Sequence, residues 1–166
     1  MNGIKKLSTL LEEIKDLYKN FIDIIKQERA CIINTKTKEY SDILSKKIRI
    51  SKKIEYCDKE IQECIEEIKK EHNSTEFSFA NIEILYSNSS TEDRECLFKI
   101  SETKGILKEI LTKVTTENKI NEELLLDHIE FANNILKIFE DEKVFYTKTR
   151  EEKSRGNDGS FINRLG

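Results

Sequence analysis

Few residues in this chain have the types and spacing that chemistry needs. The two histidines, His72 and His128, lie far apart. His128 falls on an apolar helical seam beside Asp127 and Ala132, which reads as a partly buried structural histidine. The four cysteines, Cys31, Cys57, Cys64 and Cys96, form no C-x-x-C pair and no compact cluster with histidine, so no metal site is expected. Cys57 and Cys64 share a helical face but stand two turns apart, too far along the axis to bond to each other. With no secretion signal, all four read as reduced cytosolic thiols serving as small core residues. There is no phosphate-binding glycine loop, no H-E-x-x-H and no G-x-S-x-G. Carboxylates occur throughout and single out no acid/base dyad. The chain is expected to be neither an enzyme nor the holder of a cofactor.

Two constellations could bind rather than react. Lys46, Lys47, Arg49, Lys52 and Lys53 place five positive charges in eight residues. They suit an anionic partner, or form a solvated helix face neutralised by Glu-rich neighbours. No aromatic residue interleaves with them, which argues against single-stranded nucleic acid. Asn118 and Asn121 occupy a seam that is otherwise Ile, Leu and Val. Amides there either set register by hydrogen-bonding across helices or bind the backbone of an incoming helix.

The elements that must position these groups are helices. The chain has 166 residues, no proline, and only Gly3 and Gly105 before position 156, so almost nothing interrupts a helix. Net charge is −3 with both signs interleaved, which argues against general nucleic-acid binding. No run approaches the roughly 18 apolar residues of a membrane span. In the first helix, about residues 3–33, Ile4, Leu7, Leu11, Ile14, Tyr18, Phe21 and Ile25 repeat with alternating 3 and 4 spacing. Leu10, Leu17, Ile24 and Cys31 add a second line, so this helix should touch more than one neighbour. Asn34 to Thr37 is a turn in which Asn can take the left-handed cap. The second helix, about 38–71, carries Ile43, Lys47, Ile50, Ile54, Cys57, Ile61, Cys64 and Ile68 on its seam. An irregular connection, 72–90, holds apolar residues that should pack somewhere. The third helix begins at a capping-box-like Ser90-Thr91-Glu92-Asp93 and runs to about Tyr146. Its seam reads Ile100, Leu107, Leu111, Val114, Leu125, Ala132, Ile135 and Phe139, and Gly105 within it suggests a close crossing or a bend. Residues 147–166 read as a flexible tail. The fold class is therefore all-α: an antiparallel three-helix bundle or coiled coil with a long third helix. Residues 1–146 form one helical domain.

Length adds a functional argument. The first two helices make a hairpin about 50 Å long, and the third would measure about 80 Å if straight. Its last stretch, from about residue 126, then overhangs the hairpin and is rich in Ile129, Phe131, Ile135, Leu136, Ile138, Phe139 and Phe145. So large an apolar patch suits a partner-binding surface. The alternatives are a third helix that breaks and folds back, packing of the 72–90 segment against that stretch, or self-association through the overhang.

The chain resembles the FlgN family of flagellar (type III) export chaperones. The resemblance rests on Glu28-Arg-Ala30 near the end of the first helix and on Asn-x-x-Asn-x-x-Leu at Asn118, Asn121 and Leu124. Tyr146 and the Gly156 to Gly159 tail extend it. It implies a cytoplasmic, non-catalytic chaperone that binds the C-terminal segments of the hook–filament junction proteins FlgK and FlgL. Such a chaperone prevents premature assembly and delivers its cargo to the export gate, where FlhA is the docking protein. Cargo would meet the end of the third helix through Asn118, Asn121, Phe131, Ile135, Ile138, Phe139 and Phe145, as a helix in a groove. Tyr146 would contribute to the gate contact. A chaperone of this kind is a monomer or a weak homodimer. The alternative is a coiled-coil structural or adaptor protein that self-associates through the third helix.

Overall fold

The computed structural model describes residues 3–73, 78, 81, 82, 84, 86 and 90–155, with side chains to residue 137. Three long helices account for nearly all of this: α1 Gly3–Ile33, α2 Thr37–Glu71 and α3 Thr91–Arg155. The fold is all-α, and no strand occurs among the described residues. The chain divides into two compact units, Met1–Glu122 and Glu123–Gly166.

In the first unit, α1 and α2 form an antiparallel hairpin. Cys64 near the end of α2 donates its thiol to the Gly3 carbonyl at 3.4 Å, and Lys47 near the start of α2 reaches Glu28 at 2.6 Å. The beginning of α3 runs alongside α1 in the same direction, with Lys5 paired to Glu92, Thr103 bonded to Glu12 and Asn121 bonded to Glu28. The core follows the heptad of α1: Ile4, Leu7, Leu11, Ile14, Phe21 and Ile25 are all buried. The second line is also used, with Leu10 and Cys31 buried. Each large side chain so removed from water contributes about 1.5–3 kcal/mol, offset mainly by chain entropy. Every second-helix seam position is buried or half-buried, Lys47 included. Gly3 lies against Ile68: a Cβ there would come within 2.8 Å of Ile68 Cγ1, so the hairpin ends approach as closely as glycine allows.

The turn between α1 and α2 is a Schellman closure. Lys36 N–H reaches the Cys31 carbonyl at 3.0 Å and Thr35 N–H the Ile32 carbonyl at 3.2 Å. The left-handed residue is Thr35, with φ 54°, not Asn34. The Asn34 amide is engaged elsewhere, donating to the Ala30 carbonyl at 2.7 Å. Ile82 and Tyr86 answer where the 72–90 connection packs. Both are buried in the core cluster with Ile4, Cys64, Ile68 and Ile100, and the Tyr86 ring meets His72 edge-on at 5.0 Å. Phe77, Phe79 and Leu85 lie outside the described residues.

Helix α3 starts as its sequence predicts: Ser90 Oγ accepts from the Asp93 N–H at 3.3 Å and donates to the Asp93 carboxylate at 3.0 Å. Three expectations for α3 need correction. Gly105 marks no helix crossing, because a Cβ there would meet open space. The inward stripe passes through Ile110 rather than Leu111, which is exposed. His128 is exposed rather than partly buried. The helix also continues to Arg155, beyond Tyr146. Residues 147–155 hold neither glycine nor proline, and the next helix breaker is Gly156.

Candidate functional site

The inward stripe of α3 repeats with alternating 3 and 4 spacing from Asp93 through Cys96, Ile100, Thr103, Leu107, Ile110, Val114, Glu117 and Asn121, all buried or half-buried. Its last member closes the core of the first unit with a polar layer. The Asn121 side chain is 2% exposed. Its amide nitrogen donates to the Ile25 carbonyl at 2.9 Å and to Glu28 Oε2 at 2.8 Å, and its oxygen accepts from Arg29 Nε at 2.9 Å. Glu28, itself buried, also accepts from Lys47 at 2.6 Å. Arg29 reaches on to the Glu117 carbonyl at 3.0 Å and its carboxylate at 2.6 Å. Glu28, Lys47 and Asn121 each stand where the heptad of their own helix calls for an apolar residue. The Asn121 amide of α3 thus bonds to α1, and through the Glu28 carboxylate is linked to Lys47 of α2. Asn118, three residues earlier, is half-buried.

Burial then stops. Leu124 and Leu125 are half-buried, and every residue from Leu126 to Lys137 is exposed. Leu126, Ile129, Phe131, Ile135 and Leu136 are among them, with Phe131 68% exposed. On a helix, Phe131 and Ile135 share a face with positions 138 and 139, while Ile129 and Leu136 stack two turns apart on the adjoining face. Ile138, Phe139, Phe145 and Tyr146 lie on the same helix, but their side chains fall outside the described residues. The stretch from 122 to 142 is acidic as well as apolar. It holds Glu122, Glu123, Asp127, Glu130, Glu140, Asp141 and Glu142 against Lys137 alone, seven negative charges less one positive, or −6. That bias is visible in sequence and escapes a search confined to apolar spacing.

The described residues hold no cluster of His, Cys, Asp or Glu arranged for a metal ion. No helix among them is long and apolar enough to cross a membrane. The thiols are packing groups. Cys57 donates to the Leu10 carbonyl at 3.6 Å, and burial pushes its pKa up to about 11. Burial likewise raises the Cys64 pKa.

A family model described as FlgN protein matches residues 1–153. The chain belongs to the FlgN family. No curated protein and no solved structure matches it. FlgN-family membership makes it a flagellar export chaperone, a class that works by holding other proteins.

Proposed function

We propose that this FlgN-family chaperone binds the C-terminal segments of hook–filament junction proteins of the FlgK and FlgL type in the cytoplasm. It prevents their premature assembly and delivers them to an export gate of the FlhA type. The observation that supports this reading is the change from buried to exposed apolar side chains along α3 after Asn121. A helix that exposes Leu126, Ile129, Phe131, Ile135 and Leu136 carries more apolar surface than an unpartnered monomer usually shows. Apolar anchors at i, i+4 and i+7, here Phe131, Ile135 and Ile138, with Phe139 and Phe145 beyond, suit a helical cargo segment that lays its own apolar face against them. The surrounding carboxylates favour cargo with lysine or arginine flanking that face, and give association a salt-sensitive rate. Asn118, half-buried on the same helix, is assigned to cargo binding as well. Asn121 supports it from the core by ending the packed heptad at a defined residue. Tyr146, further along α3, is assigned to the gate contact.

The same exposed stripe would serve self-association, the second reading. The two separate on co-expression with C-terminal segments of FlgK-type and FlgL-type proteins from the same source, followed by size exclusion with light scattering. A stoichiometric complex that Phe131→Asp or Phe139→Asp abolishes, with helicity retained, supports the chaperone. A stable oligomer of the chain alone that either variant dissolves, with no complex formed, would overturn it.

A further inference from the structure

Within the basic run of α2, only Lys47 forms an ion pair among the described residues. Lys36 pairs with Glu39, Lys47 with Glu28 and Lys59 with Glu63, yet no ion pair among the described residues involves Lys46, Arg49 or Lys53. These three line the rim of a groove of about 220 Å³ between α1 and α2, whose apolar wall is Leu17, Ile24 and Ile50. No carboxylate is among its described lining residues. The basic stretch is bounded. Glu39 and Asp42 line the adjoining cavity on one side, and Glu13, Glu60 and Glu63 gather about Tyr56 on the other.

We propose that this groove docks an acidic amphipathic helix of a partner protein. Lys46, Arg49 and Lys53 stand at i, i+3 and i+7, a row about 10 Å long. A helix lying along α2 with carboxylates at the same spacing meets all three. An apolar residue between those carboxylates enters the groove against Leu17, Ile24 and Ile50. The cavity is smaller than the roughly 300 Å³ at which sites for free small molecules begin, and matches one anchoring side chain. A polynucleotide would leave the apolar wall unused and find no aromatic lining on which to stack its bases. The flanking carboxylates repel an acidic segment that slides in either direction, so they set its register. Every residue of the groove lies in the first unit, and the docking does not depend on the cargo surface.

The test uses the full chain and a panel of fluorescein-labelled helical peptides carrying Glu at i, i+3 or i+4, and i+7 around a central Leu or Phe, read by anisotropy. At least one peptide is expected to bind, and its Glu→Gln and Leu→Ser versions to bind more weakly. Combined Lys46→Glu, Arg49→Glu and Lys53→Glu should weaken binding at least about tenfold. Asn20→Trp, which fills the groove without changing its charge, should do the same, while Phe131→Asp leaves binding unchanged. These positions are exposed, and circular dichroism checks that each variant folds. The proposal is overturned if no peptide binds, or if the charge reversal has no effect. It is equally overturned if the Leu→Ser peptide and a single-stranded RNA oligonucleotide bind as tightly as the parent, or if the reversal only dissolves a dimer of the chain.

Discussion

Asn121 of α3 donates its side-chain amide to the Glu28 carboxylate of α1 at 2.8 Å, inside the core and at the last packed position of its stripe. Glu28 also accepts from Lys47 of α2, so the two bonds link three residues that break the apolar pattern of three different helices. Replacing Asn121 alone removes one of the two side-chain bonds to the buried Glu28 carboxylate and takes the amide acceptor from Arg29 Nε. Asn121→Ala should therefore destabilise the first unit by about 2–3 kcal/mol, measured by urea unfolding. Replacing all three together, Glu28→Leu with Lys47→Met and Asn121→Leu, removes the desolvation as well as the bonds and should restore most of that loss. If the layer sets register, the triple variant loses a single oligomeric state while keeping its stability, which light scattering would reveal.

Two backbone positions carry strain or entropy that a substitution can remove. Thr35 is β-branched and sits at φ 54°, where glycine is favoured and side chains are crowded. Thr35→Gly should stabilise by about 1 kcal/mol through the α1–α2 turn. Gly105 is the reverse case: helical, exposed and with open space around a Cβ. Gly105→Ala should stabilise by about 1 kcal/mol. A fall in the urea midpoint for either variant would contradict the geometry described.

Glu12 links stability to pH. Its pKa is lowered from 4.5, first by the hydrogen bond from Lys15 and then by that from the buried Thr103. A carboxyl depressed in the folded state contributes stability that is present above its unfolded pKa, and loses it as pH falls through the folded value. Unfolding free energy should therefore decline as pH drops below 4.5. Thr103→Val removes one cause of the depression and should flatten that decline, besides lowering stability near neutrality.

The thiols differ in reach. Cys31, Cys57 and Cys64 are buried, and Cys57, with its pKa near 11, stays protonated at ordinary pH. Cys96 is only half-buried. Alkylation of the native protein followed by mass spectrometry should label Cys96 first. The other three should react only as fast as the first unit opens, and together once urea unfolds it.

Sequence periodicity reads α1 and α2 almost residue by residue, because their seams are dominated by Ile, Leu, Phe and Cys at strict spacing. It slips on α3 for a physical reason. The inward stripe there includes Asp93, Thr103, Glu117 and Asn121, which hydropathy counts as outward. A search for apolar neighbours then shifts from Ile110 to Leu111 and carries the seam on through Ala132 and His128. The polar positions are inward because each has a partner on α1 or at its own cap, and partners distant in sequence leave no periodic trace. The exposed apolar residues from Leu126 to Leu136 were legible by type and spacing alone, because no polar partner distant in sequence interrupts them. Thr35, by contrast, takes the left-handed position that Asn34 was expected to hold, because the Asn34 side chain finds the Ala30 carbonyl first.

Phe131 separates stability from binding. It is 68% exposed, so Phe131→Asp forfeits little buried area and should change unfolding free energy by no more than about 0.5 kcal/mol. Val114→Asp, one heptad before Asn121, places a charge at a buried position of the first unit and should destabilise by at least about 3 kcal/mol. If α3 past Asn121 is the cargo surface, Phe131→Asp eliminates the complex with FlgK-type or FlgL-type segments while its urea midpoint stays at that of the parent. A Phe131→Asp protein that unfolds as easily as Val114→Asp would show that this ring is packed, and the cargo surface would have to be sought elsewhere on the chain.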